Sequence, residues 1–380
     1  MKINESKNNK NVSSSMHLEH MDAALNLARR GLGNTWPNPT VGCVIVKHNR
    51  VVGRGWTSPG GRPHAETEAL KRAGQNAFGS IVYVTLEPCN HYGQTQPCTE
   101  ALIDARVDKV VIATLDPDPR VSGSGQKRLE EAGISVEVGL LRLEADEINR
   151  GFFSRVKLSK PFITLKIATT LDGKIATQNG ESEWITGEVA RKAGHKLRAN
   201  HDAIMVGSGT SISDNPSLTC RLSGIENKHK LRIVLDGRLR VPEDGVLAQT
   251  AKKIPVLIFT AFGDKDKFKK VKRLEALGVS VVVIKKNGKR MDFKAIMEEL
   301  SARGITRLLV EGGGSLAASL MLSDLVDEIA WFRAPTIMGD DGVSAVANLG
   351  LDKLEEITKF ARKYQLTLGD DSLEVLVRTR

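Results

Sequence analysis

Two short segments hold four side chains able to build a hydrolytic metal centre. "HAETEAL" (64–70) sets His64 and Glu66 two residues apart, and "EPCNHYGQTQPC" (87–98) sets Cys89 and Cys98 nine apart. Imidazole nitrogen and thiolate sulfur are donors that zinc takes in tetrahedral geometry. A catalytic zinc uses three protein ligands and leaves the fourth position to water. His64, Cys89 and Cys98 supply three. Zinc lowers the pKa of its water towards about 7. Glu66 is not needed as a ligand; beside His64 it can take the proton and deliver it to a leaving amine. Taken singly, each residue has a bland reading as a buried small thiol or a satisfied core histidine. Their order favours the metal. Cys43, inside an apolar run, and Cys220, after "PSLT", are read as non-ligands. Four cysteines are too few for a disulfide scaffold.

These ligands meet only if the elements that carry them end at one place. "ALNLARRG" (24–31) reads as a helix with a glycine stop, and "VGCVIV" (41–46) as a strand. "HNRVVGRGW" is a turn and a second strand. "HAETEALKRAG" has Ala65, Ala69 and Leu70 on one helical side, so His64 opens a helix. "SIVYVTL" (80–86) is a strand that Cys89 follows. "TEALIDAR" (99–106) is a helix that Cys98 precedes, where the helix dipole favours a thiolate. "KVVIAT" (109–114) and "SGQKRLEEAGISVEVG" continue the α/β alternation. Zinc deaminases carry this set as H-x-E followed by P-C-x-x-C. Here eight residues separate the cysteines, longer than in single-function nucleoside and nucleic-acid-editing enzymes.

A second α/β series follows the polar, basic "SRVKLSKP" (154–161). Its strands are "FITLKIAT", "AIMVG", "LRIVLD", "PVLIFT", "VSVVVI", "RLLVEGGG" and a last long one, "VDEIAWFRAP". Helices read from "EVARKAGHKLRAN", "KKVKRLEALG", "KAIMEELSARG" and "SLAASLMLSD" lie between them. A length of 380 residues suits two domains. We expect a disordered tail over 1–15, a first domain over 16–158 and a second over 159–380.

The net charge of +10 suits an acidic partner, nucleic acid or a phosphorylated small molecule. Aromatic residues make up 4%, and no dense Lys/Arg block exists, which argues against a nucleic-acid surface. The basic run "KDKFKKVKR" reads as the solvated face of a helix. No apolar run approaches the roughly 18 residues of a membrane span. The polar N-terminus lacks the apolar stretch of a signal peptide, so a cytoplasmic location is the expectation. Assembly into a homo-oligomer is left open.

With these motifs in order, the chain resembles the bifunctional riboflavin-biosynthesis deaminase-reductase family. "WPNPTVGCVIV", "PHAETEAL", "YVTLEPCNHYGQTQPCTEALI" and "DPDPRVSGSG" are similar to its deaminase half. "PFITLKIATTLDGKIAT", "GESEWITG", "DNPSLTCR" and "VEGGG" are similar to its reductase half. The resemblance implies a cytidine-deaminase-like three-layer α/β domain followed by a dihydrofolate-reductase-like α/β domain, with Zn2+ and NADPH as cofactors. The implied substrate is a phosphorylated pyrimidine, 2,5-diamino-6-(5-phosphoribosylamino)pyrimidin-4-one. It is deaminated first, and the ribose of the uracil product is then reduced to ribitol.

Residue by residue, the resemblance makes His64, Cys89 and Cys98 the zinc ligands and Glu66 the proton shuttle. Asn38 and His91 match substrate-contacting positions; a turn asparagine and an exposed loop histidine are their bland readings. On the reductase side, Lys166, Ser182, Arg198, Leu218, Arg221 and Glu311 match substrate positions. Ala168, Trp184, Thr210, Asp214, Gly312, Gly313 and Gly314 match cofactor positions. Without the resemblance Arg221 would read as a surface arginine and Trp184 as core. No G-x-G-x-x-G follows a strand in the Rossmann manner. Gln94 stands where the family often has a basic residue, and Gln96 where it has a proline. Two rivals remain at this point: a tRNA adenosine-type deaminase with an accessory domain, and a metal-stabilised scaffold with a sugar-phosphate-sensing module. The second leaves Glu66 without a purpose, since a structural zinc closes its fourth position with another ligand.

Overall fold

The sheet-centre strands of the first half are continuous apolar runs, 43–46, 81–84 and 110–112, so each offers buried side chains to both faces of a sheet. The computed structural model describes residues 5–379 apart from 94, 120, 226–229, 262–265, 288 and 289. The chain divides into two units, Met1–Lys160 and Pro161–Arg380. The first runs α1 (Glu5–Arg29), β1 (Gly42–Lys47), β2 (Arg50–Trp56), α2 (Ala65–Ala73), β3 (Ile81–Val84), α3 (Cys98–Asp104), β4 (Lys109–Ile112), α4 (Ser124–Glu131), β5 (Ser135–Val138) and α5 (Arg142–Leu158). The sheet order is β2-β1-β3-β4-β5. β1 is antiparallel to both neighbours, while β3, β4 and β5 run parallel. Cys43, Ile45, Val82 and Ile112 pack on one face against Ala65 and Ala69 of α2, Leu102 of α3 and Leu129 of α4. Val44, Val46, Tyr83 and Val111 pack on the other against Met21 and Leu25 of α1 and Ile148 of α5. This is the three-layer arrangement expected.

Two glycines of β2 decide how closely α2 lies. A Cβ on Gly55 would fall 2.1 Å from the Ala65 carbonyl oxygen, and one on Gly53 would fall 2.4 Å from that of Ala69. The helix therefore rests on bare backbone, which sets the depth at which His64 and Glu66 enter. The expected tail differs from the structure: α1 already begins at Glu5, and residues 1–4 lie outside the described residues. Met21, Ala24, Leu25 and Ala28 anchor the later turns. No glycine or proline precedes Gly31 to stop the helix propagating backwards. The segment read as a polar boundary belongs mostly to α5, and the division falls between Lys160 and Pro161.

The second unit begins with β6 (Phe162–Thr169), β7 (Lys174–Ala176), α6 (Glu188–Ala199), β8 (Ala203–Gly207), α7 (Ser208–Ser213), β9 (Leu231–Leu235), α8 (Val246–Gln249), β10 (Val256–Thr260), α9 (Asp266–Ala276) and β11 (Val279–Val283). It continues with β12 (Lys286–Asn287), β13 (Arg290–Met291), α10 (Phe293–Ala302), β14 (Arg307–Glu311), α11 (Gly314–Leu322), β15 (Glu328–Arg333), β16 (Val343–Ser344), β17 (Phe360–Leu368) and β18 (Asp371–Arg378). The main sheet has the order β11-β10-β9-β8-β14-β6-β15-β18-β17. β11 through β15 are parallel to one another, and β18 and β17 add an antiparallel edge. The closing hairpin is absent from the sequence reading. β17 is an edge strand with mostly exposed residues, although Tyr364, Leu366 and Leu368 alternate with polar neighbours in the manner of a strand. The three sheet-centre strands β8, β14 and β6 end side by side, which gathers their C-terminal residues and the loops that follow.

Candidate active sites

His64 caps the N-terminus of α2, Cys89 lies in the loop after β3, and Cys98 opens α3. Cys98 Sγ lies 3.3 Å and Cys89 Sγ 3.6 Å from His64 Nδ1. The Cys98 backbone N–H donates to Cys89 Sγ at 3.4 Å. Among the described residues, this is the group whose three donor atoms lie within 4.8 Å of one another. A hydrogen bond from Cys98 pulls the Cys89 thiol down to about 4, whereas the same bond and burial push the Cys98 thiol up. Two thiolates this close coexist only around a cation, so the donor set fits zinc. Glu66, 3% exposed, is pushed up to about 7 by burial, with His64 opposing the shift. It is a carboxyl that can both take and give a proton near neutrality.

Asn38 lies against Gly61, three residues before His64. Gly61 has φ +89°, and a Cβ there would sit 1.9 Å from Asn38 Nδ2. His91 is exposed, and its charge opposes the rise that burial gives the Asp116 carboxyl. Gln94 lies outside the described residues; Gln96 Nε2 donates to Asp104 Oδ2 at 2.8 Å. Two holding residues escaped the sequence reading. Buried Glu87 accepts from the backbone N–H groups of Asp116, Gly123, Gly125 and Gln126 at 2.8–3.3 Å. It thereby ties the start of the zinc loop to the "DPDPRVSGSG" segment. Buried Asn149 of α5 exchanges two hydrogen bonds with the Thr40 backbone, at 2.9 and 3.0 Å, and so fixes the segment that carries Asn38. A carboxylate two residues before a ligand was the only hint of the first. Nothing local marks the second.

In the second unit Lys166 of β6 and Glu311 of β14 are register partners on adjacent strands. Arg198 of α6 grips Glu311 through Nε and Nη2, at 2.7 and 2.8 Å, and donates through Nη1 to the Thr219 carbonyl at 2.9 Å. Burial would raise the Glu311 pKa, but Arg198 and Lys166 outweigh it and hold the carboxyl down at about 2. Burial lowers the Lys166 pKa. Ala168 follows two residues on along β6, on the same side of the strand as Lys166. Arg221 is exposed, in the loop after Thr219. Ser182 is half-buried, and Trp184, 62% exposed, is covered by the Arg191 guanidinium at 4.6 Å. The Leu218 side chain is 3% exposed and belongs to the core with Val234 and Leu247. Only its backbone can face a substrate, and a positive φ of 51° turns the chain there.

Gly312, Gly313 and Gly314 form the turn from β14 into α11, with Gly313 as the cap. A Cβ on Gly314 would meet the Ser344 carbonyl oxygen at 2.5 Å, so glycine is required there. The N-termini of α7 and α11 both open towards a cavity of ≈ 630 Å³ that Ser208, Ser315, Arg238, Arg240 and Lys286 line. Helix starts and cations are the chemistry that suits phosphate groups, although Ala168, Trp184, Thr210, Asp214 and the three glycines are not among the lining residues. Thr210 lies within α7, and Asp214 ends it. Arg238 and Arg240 lie in "DGRLR", directly after the parallel strand β9, and Arg240 also donates to Ser208 Oγ at 2.6 Å.

A family profile described as "Cytidine and deoxycytidylate deaminase zinc-binding region" matches residues 14–114, and one described as "RibD C-terminal domain" matches 161–370. The chain is 43% identical to riboflavin biosynthesis protein RibD of Aquifex aeolicus (strain VF5), over 93% of this chain and 96% of that protein. It is 38% identical to RibD of Escherichia coli (strain K12), with the same coverage. The solved structure of Acinetobacter baumannii RibD, form 1, superposes with TM-score 0.87 at 35% identity, covering 96% of this chain and 99% of that one. A Thermotoga maritima diaminohydroxyphosphoribosylaminopyrimidine deaminase/5-amino-6-(5-phosphoribosylamino)uracil reductase superposes with TM-score 0.83 at 32% identity and the same coverage. One chain thus joins a zinc-binding, cytidine-deaminase-like domain to a reductase domain. The chain belongs to the RibD family, and it is a bifunctional deaminase and reductase of riboflavin biosynthesis that uses zinc and NADPH. The tRNA adenosine-type reading is not favoured, since RibD proteins match along both units. No described helix is long and apolar enough to cross a membrane.

Proposed function

We propose that residues 16–158 deaminate 2,5-diamino-6-(5-phosphoribosylamino)pyrimidin-4-one and that residues 159–380 reduce the ribose of the uracil product to ribitol. We place both steps in the cytoplasm, on a free small molecule and without nucleic acid. The observation that carries the first half is a fully buried Glu66 beside three convergent soft donors. Zinc held by His64, Cys89 and Cys98 supplies a Lewis acid that acidifies water. Glu66 takes the proton and hands it to the departing amine. Asn38 and His91 hold the substrate, while Glu87 and Asn149 fix the segments that carry them.

In the second half, NADPH supplies the hydride. Gly312, Gly313, Gly314, Thr210, Asp214, Trp184 and the backbone at Ala168 hold the cofactor. Arg238 and Arg240 are additions from the cavity. Lys166, Ser182, Arg198, Glu311 and Arg221 hold the substrate. Lys166 is a half-buried cation whose pKa is lowered by desolvation, which suits it to give a proton to the sugar oxygen as the ring opens. Arg221 grips the 5-phosphate through its planar fork of donors. The test is to incubate purified protein with the diaminopyrimidine ribotide, with and without NADPH. Ammonia release alone, followed by reduction once the cofactor is added, is the expected result. Failure of either step would overturn the corresponding half.

A further inference from the structure

His195 is half-buried on α6, one turn before Arg198, and no role above uses it. Both ring nitrogens face donors of one residue. The Arg221 backbone N–H points at Nδ1 and its guanidinium Nε–H at Nε2, each at 3.4 Å. A neutral imidazole has one bare nitrogen able to accept, and an imidazolium has none. A neutral ring can therefore accept one of these two contacts and an imidazolium neither, and protonation would set one cation against another. The surroundings act in the same sense. Burial first, then Arg198 on the same helix and Arg221 from the facing loop, lower the His195 pKa. Glu311 at the end of β14 and the Thr219 carbonyl oppose them and are outweighed.

We infer that His195 is a positioning residue of the reductase site: its neutral ring holds Arg221 by the Nε–H and presents the two terminal nitrogens to the substrate phosphate, and acid releases that hold. This rests on the reading of Arg221 as the phosphate ligand. The consequence is a reductase whose grip on substrate weakens in acid by more than the phosphate's own protonation explains.

The test uses the full chain, saturating NADPH and 5-amino-6-(5-phosphoribosylamino)uracil, at about pH 8 and about pH 4.5, the lower value set well below the ordinary imidazole range because the surroundings of His195 lower its pKa. At the higher pH, His195→Ala should raise KM about 3- to 10-fold, the loss of one ordinary hydrogen bond, with kcat little changed. His195→Gln keeps an acceptor that does not titrate and should recover most of that loss. The substrate phosphate gains a proton near pH 6 in every variant. The deciding number is therefore the ratio of KM at the two pH values, which should be larger for wild type than for His195→Gln. In an Arg221→Ala background, His195→Ala should add nothing. An unchanged KM in Arg221→Ala would defeat the phosphate reading itself. If Arg221→Ala raises KM but His195→Ala does not, or if wild type and His195→Gln share one pH ratio, the positioning role is wrong and the phosphate reading stands. NADPH affinity, read by cofactor fluorescence, should be unchanged in both His195 variants. A loss in both would make His195 merely structural and overturn the inference.

Discussion

The deaminase unit and the reductase unit assemble their chemistry at very different ranges along the chain. In the first, Cys89 and Cys98 are 9 residues apart and His64 lies 34 from Cys98. His64 and Cys98 stand at helix starts and Cys89 in the loop after β3, and a short motif specifies each place. In the second, Arg198 meets Glu311 across 113 residues, and Lys166 comes from a third element. The metal site needs a few rigid ends around one ion. The reductase site needs charges delivered from several parallel strands, and a parallel sheet brings distant segments together at its C-terminal edge. A zinc centre is therefore compact in sequence, while a pocket for two large reactants is dispersed.

That contrast predicts separable failures. The largest is Glu66→Ala, which should cut ammonia release about 10²- to 10⁴-fold, the usual worth of a general acid–base group. Zinc, measured by atomic absorption, should stay at about one ion per chain, and reduction of supplied deaminated ribotide should persist. Normal ammonia release would remove Glu66 from the mechanism.

Glu311→Ala should do the converse. It leaves Arg198 and Lys166 without a counter-charge; the pair is partly buried, and the loss should be about 1.5–3 kcal/mol, the range for hydrogen bonds to charged groups. Chemical denaturation should show a weakened second unit, with reduction lost and deamination kept. The pair also fixes the sign of an acid effect. Glu311 is held at about 2 against an ordinary 4.5, so its stabilisation is complete above the ordinary value and is lost as pH falls towards 2. Glu311→Gln should lack that acid-dependent component; an identical acid profile would mean that the pair does not matter to the fold.

Arg221→Ala should lower reductase efficiency about 10- to 150-fold, the range for hydrogen bonds to a charged group. On the dephosphorylated substrate, wild type and variant should perform equally badly. Equal losses on both substrates would mean that Arg221 acts elsewhere. The smallest effect is expected for Gly55→Ala, where a new Cβ pushes α2 off β2. Overpacking of this kind costs about 1–3 kcal/mol. Zinc occupancy and deamination should fall together while reduction is untouched; intact zinc binding would show that α2 has room to move.

His64, Glu66, Cys89 and Cys98 were legible because their chemistry demands particular residue types at the ends of elements that periodicity reveals. The parallel strands of the second unit were legible for a related reason: a strand buried on both faces reads as a continuous apolar run. The hairpin of β17 and β18 was not: Tyr364, Leu366 and Leu368 in one strand and Leu373, Val375 and Val377 in the other alternate as strands do, but the pairing of β18 with β15 joins segments that no local pattern links. Leu218 was legible as a position but not as a side chain, since burial is decided by what packs around it.

Sequence alone determined the donor set, the acidic residue beside it, the two-unit order and the glycine turn into α11, since each depends on residue type and near spacing. Only the tertiary structure decided that Glu87 and Asn149 hold the deaminase loops, that Arg198 neutralises Glu311, and that His195 faces Arg221. These are contacts between segments far apart in the chain. Their energies depend on burial and on distances of a few ångström, which no local pattern encodes.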